Sequence, residues 1–392
     1  LKPLCAQFVW LNMSGSAAGA GLQVPDPLEG LCSQASNADF WRELCPWLHI
    51  GDEGLRQLAL DATNSFPEGA DNVESWATDL LQEGYFEVGG LHWAVSVADV
   101  ARGVDRLVSM GFPPICILAY DEPWVMLAQL RKLVRATTGG NELIMDWAAF
   151  FVKAGCDHGV AEPTGWGPHR DRGSFRAAAE GFRSDGTPRY TTFWIALTDA
   201  TPQSSCLMCV PRKWDPGYHA PAYHEPFKSG LQDIFDAPGA FQHIRALPVA
   251  SGSVLGFSHR LMHWGSAADH RAPNPRISLA FAAADPSFEG PYFSLAALPI
   301  PSLELRVALL AGQVMKHSHQ ERFLTTRLRV SLFYNLFGTQ VVAFDRDYRD
   351  EIRQINQSLH KKLPPMQTSR QSMLNVEEET AEHGIAALFD GL

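Results

Sequence analysis

The sequence predicts a mainly β core with helical flanks, a sandwich or barrel of jelly-roll type, on three observations. Short β-type runs cluster in the middle of the chain, Gly/Pro-rich loops rather than alternating helices separate them, and helical periodicity returns on either side. The candidate strands are Asp146–Val152, Tyr190–Thr198, Cys206–Val210, Ser253–Phe257 and Ile277–Ala283.

Three regions follow, at 1–85, 86–300 and 301–392. The first reads as a helical extension: Phe40, Leu44 and Leu48, then Leu55, Leu58 and Leu60, recur at helical spacing after a Gly/Ala/Ser-rich stretch at Ser14–Gly21, read as a loop. In the second, Ser96 and Asp99 form a capping box for a helix ending near Met110, before Gly111 and Pro113-Pro114. Ile115–Ala119, apolar with β-branched residues, reads as a buried strand, and Asp121-Glu122-Pro123 opens a helix with Trp124, Leu127, Leu130 and Val134 on one side. In the third, Leu303, Val307, Leu310 and Val314 predict a helix, and Tyr348 to Leu363 another, stopped by Pro364-Pro365. Thr368 to Leu392 reads as an acidic tail with a short docking helix at Ile385–Phe389.

Composition narrows the function classes. A net charge of −11 without a dense Lys/Arg run argues against a nucleic-acid partner. No apolar run is long enough for a transmembrane helix, so no membrane partner is expected. Seven scattered cysteines fit reduced thiols in the cytoplasm better than a disulfide framework, with a trimmed targeting peptide as the alternative. Nothing bears on oligomeric state.

The chemistry concentrates at Gly165-Trp166-Gly167-Pro168-His169-Arg170-Asp171. On an extended segment a period of two puts His169 and Asp171 on the same side. Two histidines and one carboxylate on one face of a metal leave three adjacent positions open, as non-haem Fe(II) oxygenases require. A lone His-x-Asp triplet is a chance-level signal; His319-Gln320-Glu321 is a similar one, in a region read as helix. The second histidine comes from Ser251 to Gly265, where a glycine turn leads an apolar strand and presents His259 and His263. Beyond it, Arg276 and Ser278 share one face of the next strand, an anion site suited to a carboxylate met end-on by the guanidinium.

Together these residues resemble the phytanoyl-CoA dioxygenase family of Fe(II)/2-oxoglutarate oxygenases, over about 85–290 and most sharply over 165–171, 190–211 and 251–283. The resemblance implies a double-stranded β-helix with iron held by His169, Asp171 and His263, the tail carboxylate of 2-oxoglutarate on Arg276 with Ser278 as a second donor, Thr192 as a further co-substrate contact and Trp194 as a pocket wall. It also implies O2 as oxidant, release of succinate, and hydroxylation of a small or medium-sized molecule; the presence of Asp171 speaks against halogenation. Gln203-Ser204-Ser205 and Arg212-Lys213-Trp214 depart from the family pattern, so substrate specificity is not carried over.

Other residues receive plainer readings. Cys206 and Cys209 lack a second pair at zinc spacing and read as core. His219, His224 and His243 read as surface or lid residues, Arg172 as structural or a contact for an anionic substrate, and Trp166 as packing. Two alternatives stay open: a non-catalytic binding module on the same fold, and a cupin-like Zn or Mn enzyme that uses no keto acid.

Overall fold

The computed structural model describes residues 27–154, 165–219, 238–293, 299–318 and 323–364. The stretch Ser14–Gly21, His224, the His319 triplet and the acidic tail lie outside them.

Four helices open the described chain: α1 (Pro27–Gln34), α2 (Ala38–Leu44), α3 (Glu53–Ala62) and α4 (Val73–Gln82). Strand β1 (Tyr85–Val88) and helix α5 (Val97–Ser109) follow, the latter capped as expected by the Ser96 hydroxyl accepting from the Asp99 N–H. Ile115–Ala119 is not a strand. Pro114–Ala119 forms a fully buried 3-10 helix instead, because Pro114 sits at its first turn and a short apolar run does not reveal its period. Helix α6 (Glu122–Thr137) opens with Pro123, as the sequence suggests.

Among the described residues, nine strands build two antiparallel sheets. In chain order the rest are β2 (Glu142–Val152), β3 (Trp166–His169), β4 (Tyr190–Ala196), β5 (Leu207–Val210), β6 (Arg245–Leu247), β7 (Val254–Ser258), β8 (Met262–Gly265) and β9 (Arg276–Ala284), with the short helix α7 (Phe175–Glu180) after β3. The five-stranded sheet runs β1-β7-β4-β9-β2 and the four-stranded one β3-β8-β5-β6.

Alternation along the strands sorts side chains between two cores. Phe193 and Ile195 of β4 and Ile277, Leu279 and Phe281 of β9 join the large helical core. Trp194, Ala196 and Ala280 pack with Leu207, Cys209, Leu255 and Phe257 in a second core between the sheets. Arg276 and Ser278 thereby share the inner face with Ala280. Gly256 is required in β7, because a Cβ there would lie 2.3 Å from the Phe86 ring.

Helices α8 (Leu303–Lys316), α9 (Arg327–Gly338) and α10 (Arg346–Lys362) follow the sheets. A register shift between Ile144 and Trp147 marks a bulge in β2. Gln313 of α8 accepts the Trp147 N–H there at 3.1 Å, and Asp146 at the bulge is turned toward the cavity described below.

Candidate metal centre

His169 ends β3 and His263 lies on β8; the two residues are direct cross-strand partners, with ring centroids 4.3 Å apart. Asp171 sits in the bend just after β3. Its Oδ1 lies 3.6 Å from His169 Nε2 and 3.6 Å from His263 Nε2. One ligand atom from each of the three falls within 4.8 Å of the others.

The imidazoles are turned so that this spacing can serve a metal. His169 Nδ1 meets the Gly167 carbonyl at 2.8 Å and His263 Nδ1 meets the Leu261 carbonyl at 3.1 Å. A carbonyl only accepts, so each Nδ1 carries the proton and each Nε2 keeps its lone pair toward Asp171. Burial, helped by nearby His169, pulls the His263 pKa down to about 4, which keeps that ring neutral. Burial would raise the Asp171 carboxyl, but the Thr192 hydroxyl and the Arg172 charge work against that and favour the carboxylate. Its Oδ2 accepts a hydrogen bond from Thr192. Two imidazoles, one carboxylate and no thiolate are a donor set suited to iron.

The motif backbone is tied down by its arginines. Arg170 turns to Asp215, meeting both carboxylate oxygens at 2.7 Å. Arg172 donates to the Asp171 carbonyl, to Asp146 and to Glu289, and the fully buried Arg260 caps the Arg172 carbonyl.

The surroundings of Arg276 are those of a buried cation able to receive an anion. It is 1% exposed, lies between Trp166 and Trp194 at 5.4 and 5.6 Å from their ring centroids, and donates from Nη1 to Ser278 Oγ at 2.8 Å. Its Nε and Nη2 find no hydrogen-bond partner among the described residues. Such buried donors are costly unless a ligand accepts from them, and the planar fork matches a carboxylate. Burial even lowers this guanidinium to about 10. The arginine and the His-Asp-His cluster line one cavity of about 750 Å³, so these residues fit both iron and a keto acid.

The remaining sequence candidates separate cleanly. His259, the rival of His263, is buried with its ring nitrogens at the Tyr190 and Ala177 carbonyls and stands outside the cluster. Trp194, Thr192 and Trp166 line the cavity; Ser278 is engaged by Arg276. His219 is exposed and packs on Phe182, while His243 stacks on Trp214 at 3.6 Å. Cys206 and Cys209 are buried, with thiols pushed up by that burial, Cys209 to about 12. Arg212 and Lys213 reach back to the Leu81 carbonyl and to Glu83, tying the turn after β5 to the end of α4.

The sequence reading missed one wall of the cavity: Asp146 from the β2 bulge, Lys316 and His317 from the end of α8, and Glu351 from α10. Asp146 accepts from Arg172 at 2.7 Å and from the Tyr190 hydroxyl at 2.9 Å, and meets His317 at 3.0 Å and Lys316 at 3.3 Å. Only the clustering of Lys316 and His317 at a helix end hinted at this, and the spacing alone points nowhere.

Comparison with known proteins agrees with the motif. Residues 123–276 match the family model described as phytanoyl-CoA dioxygenase (PhyH). No curated protein matches the chain. Among solved structures, the epimerase SnoN in complex with Fe3+, alpha ketoglutarate and nogalamycin RO is 20% identical over 54% of this chain and 83% of its own, with a TM-score of 0.39. EctD from S. alaskensis with 2-oxoglutarate and 5-hydroxyectoine is 17% identical over 57% and 78%, with a TM-score of 0.40. The carbocyclase SnoK from nogalamycin biosynthesis is 14% identical over 56% and 87%, with a TM-score of 0.41. The stretch that matches the phytanoyl-CoA dioxygenase model, residues 123–276, holds all three residues of the cluster and ends on Arg276, so the chain is similar to that family over the part that carries the site.

Proposed function

We propose that this protein hydroxylates a C–H bond of a small or medium-sized molecule, with iron on His169, Asp171 and His263 and 2-oxoglutarate anchored by Arg276. The observation that carries the reading is the buried Arg276 guanidinium, with two nitrogens unmatched among the described residues, in the same cavity as the His-Asp-His cluster. A Zn or Mn site working without a keto acid leaves that cation unexplained. The two facing sheets support a double-stranded β-helix as the framework, with 86–300 as its main span.

The chain's own part is to bind, orient and exclude water. His169 and His263, fixed in one tautomer by backbone carbonyls, offer Nε2; Asp171 offers Oδ1. Arg276 and Ser278 bind the distal carboxylate of the keto acid, and Trp166 and Trp194 shield that contact from water, which strengthens it. Iron, the keto acid and O2 together supply an oxidant able to take hydrogen from a C–H bond, with succinate and CO2 as products. Arg172, Lys316, His317 and Glu351 line the cavity beside Asp146, so the substrate would meet a polar wall with both signs of charge. A volume of about 750 Å³ suits a molecule of that size class.

Anaerobic addition of Fe(II) and 2-oxoglutarate tests the reading. The expected result is a weak visible charge-transfer band that Asp171→Ala abolishes. A well-folded protein without the band would refute it.

A further inference from the structure

We propose that Thr192 is a positioning residue that makes Asp171 a one-oxygen ligand. The inference rests on the iron site proposed above. The two oxygens of Asp171 have different surroundings: Oδ1 faces both imidazoles at 3.6 Å, while Oδ2 accepts from the Thr192 hydroxyl. The two residues are 21 apart in sequence and come from different elements, the bend after β3 and the middle of β4.

The donor is held firmly. Strand β4 is paired on both edges, with Thr192 opposite Phe257 of β7 and Ala282 of β9. A β-branched side chain in such a strand has little torsional freedom, so the hydroxyl is fixed relative to the sheet. The Asp171 backbone is fixed separately, by Arg172 donating to its carbonyl at 3.1 Å. With backbone and Oδ2 both held, the carboxylate has one orientation left, with Oδ1 toward the histidines.

That orientation matters for how many positions on a metal the protein occupies. A carboxylate using both oxygens would take four positions together with the two histidines. Using one, it takes three and leaves three adjacent positions for a keto acid and O2. Thr192 therefore reserves a position as well as orienting a ligand. This also explains a threonine with its polar end turned inward, on the face where Trp194 and Ala196 are apolar.

The test titrates the metal-free protein with Mn(II) alone, followed by the EPR signal of the free ion, in the wild type, Thr192→Val and Thr192→Ser. Val keeps the shape and loses the donor; Ser keeps the donor. The expected result is Mn(II) affinity weakened by about 10–100-fold in the Val variant and restored in the Ser variant. With metal saturating, 2-oxoglutarate should also bind more weakly to the Val variant, because the released Oδ2 competes for its position. Thermal melting of the metal-free proteins separates this from a folding defect. Should the Val variant not fold, Thr192→Ala replaces it, with the same expectation. A folded Val or Ala variant with wild-type Mn(II) affinity would overturn the inference, as would a Ser variant as weak as Val. A wild type that takes up no metal instead sinks the functional reading beneath it.

Discussion

His259 and His263 stand four residues apart on either side of a tight turn, and only His263 brings its Nε2 to Asp171, at 3.6 Å. The ring nitrogens of His259 meet the Tyr190 and Ala177 carbonyls, and Gly181 leaves room for that ring, since a Cβ there would lie 2.3 Å from His259 Nε2. Substituting the two should therefore have opposite signatures. His263→Ala should lose metal after desalting while keeping its melting temperature near that of the metal-free wild type. His259→Ala should keep metal and lose about 1–3 kcal/mol of stability in urea. Metal content together with urea unfolding of both variants decides between them.

Arg276 should govern the keto acid and leave the metal alone. Arg276→Gln removes the charge and most of the fork, and 2-oxoglutarate affinity should fall by roughly 100-fold, as expected for losing two charge-assisted bonds. Arg276→Lys keeps the charge without the planar fork and should recover little. Calorimetric titration of the metal-loaded variants measures both. Equal keto-acid affinity in Gln and wild type would remove Arg276 from the site.

A packing prediction concerns Gly256 and Phe86. The Phe86 ring covers the Gly256 Cα, leaving no room for a Cβ. Gly256→Ala should cost about 1–3 kcal/mol through overpacking. Phe86→Leu should relieve part of that cost, so the double variant should be more stable than the sum of the singles predicts. Chemical denaturation of the four proteins tests the coupling.

Asp146 predicts a pH dependence. Burial would raise its carboxyl, yet Lys316, His317 and Arg172 hold it well below the usual value. A depressed folded-state pKa contributes stability that is fully present above the unfolded value, near 3.8, and is lost as pH falls below it. Asp146→Ala should thus be destabilised by about 1–3 kcal/mol at pH 7, because Arg172 and Lys316 lose one of the two carboxylates they share and keep Glu289. The gap to wild type should narrow below about pH 4. A gap independent of pH would show that the loss is one of packing.

Much of the core was legible because its signals are local. Short β-type runs between Gly/Pro-rich loops found β2, β4, β5, β7 and β9, and helix-opening signals at Ser96 and Pro123 found α5 and α6. Strands β1, β3, β6 and β8, each three or four residues long, were not read as strands, and β3 and β8 are the ones that carry the two histidines. In the structure His169 and Asp171 group with His263, and Arg276 donates to Ser278; the first pair was singled out by spacing and the second by a shared strand face. The Asp146 wall was not, since a bulge sets the aim of that side chain and helices some 170 residues later supply its partners. Helix α9 escaped because it is apolar on more than one face, with Val330, Leu332, Phe333, Leu336 and Phe337 all buried.

The two unmatched nitrogens of Arg276 reach beyond binding, to how long the protein lasts in a cell. A buried cation short of partners weakens the folded state, and an anion that completes its bonds strengthens it. Ligand binding to the native state alone adds stability with concentration, about 2.7 kcal/mol at one hundred times the dissociation constant. A shift of that size lowers the fraction of unfolded molecules exposed to proteases and chaperones by about 100-fold. On this view the abundance of the protein follows the supply of its keto acid, a metabolic readout built into one arginine.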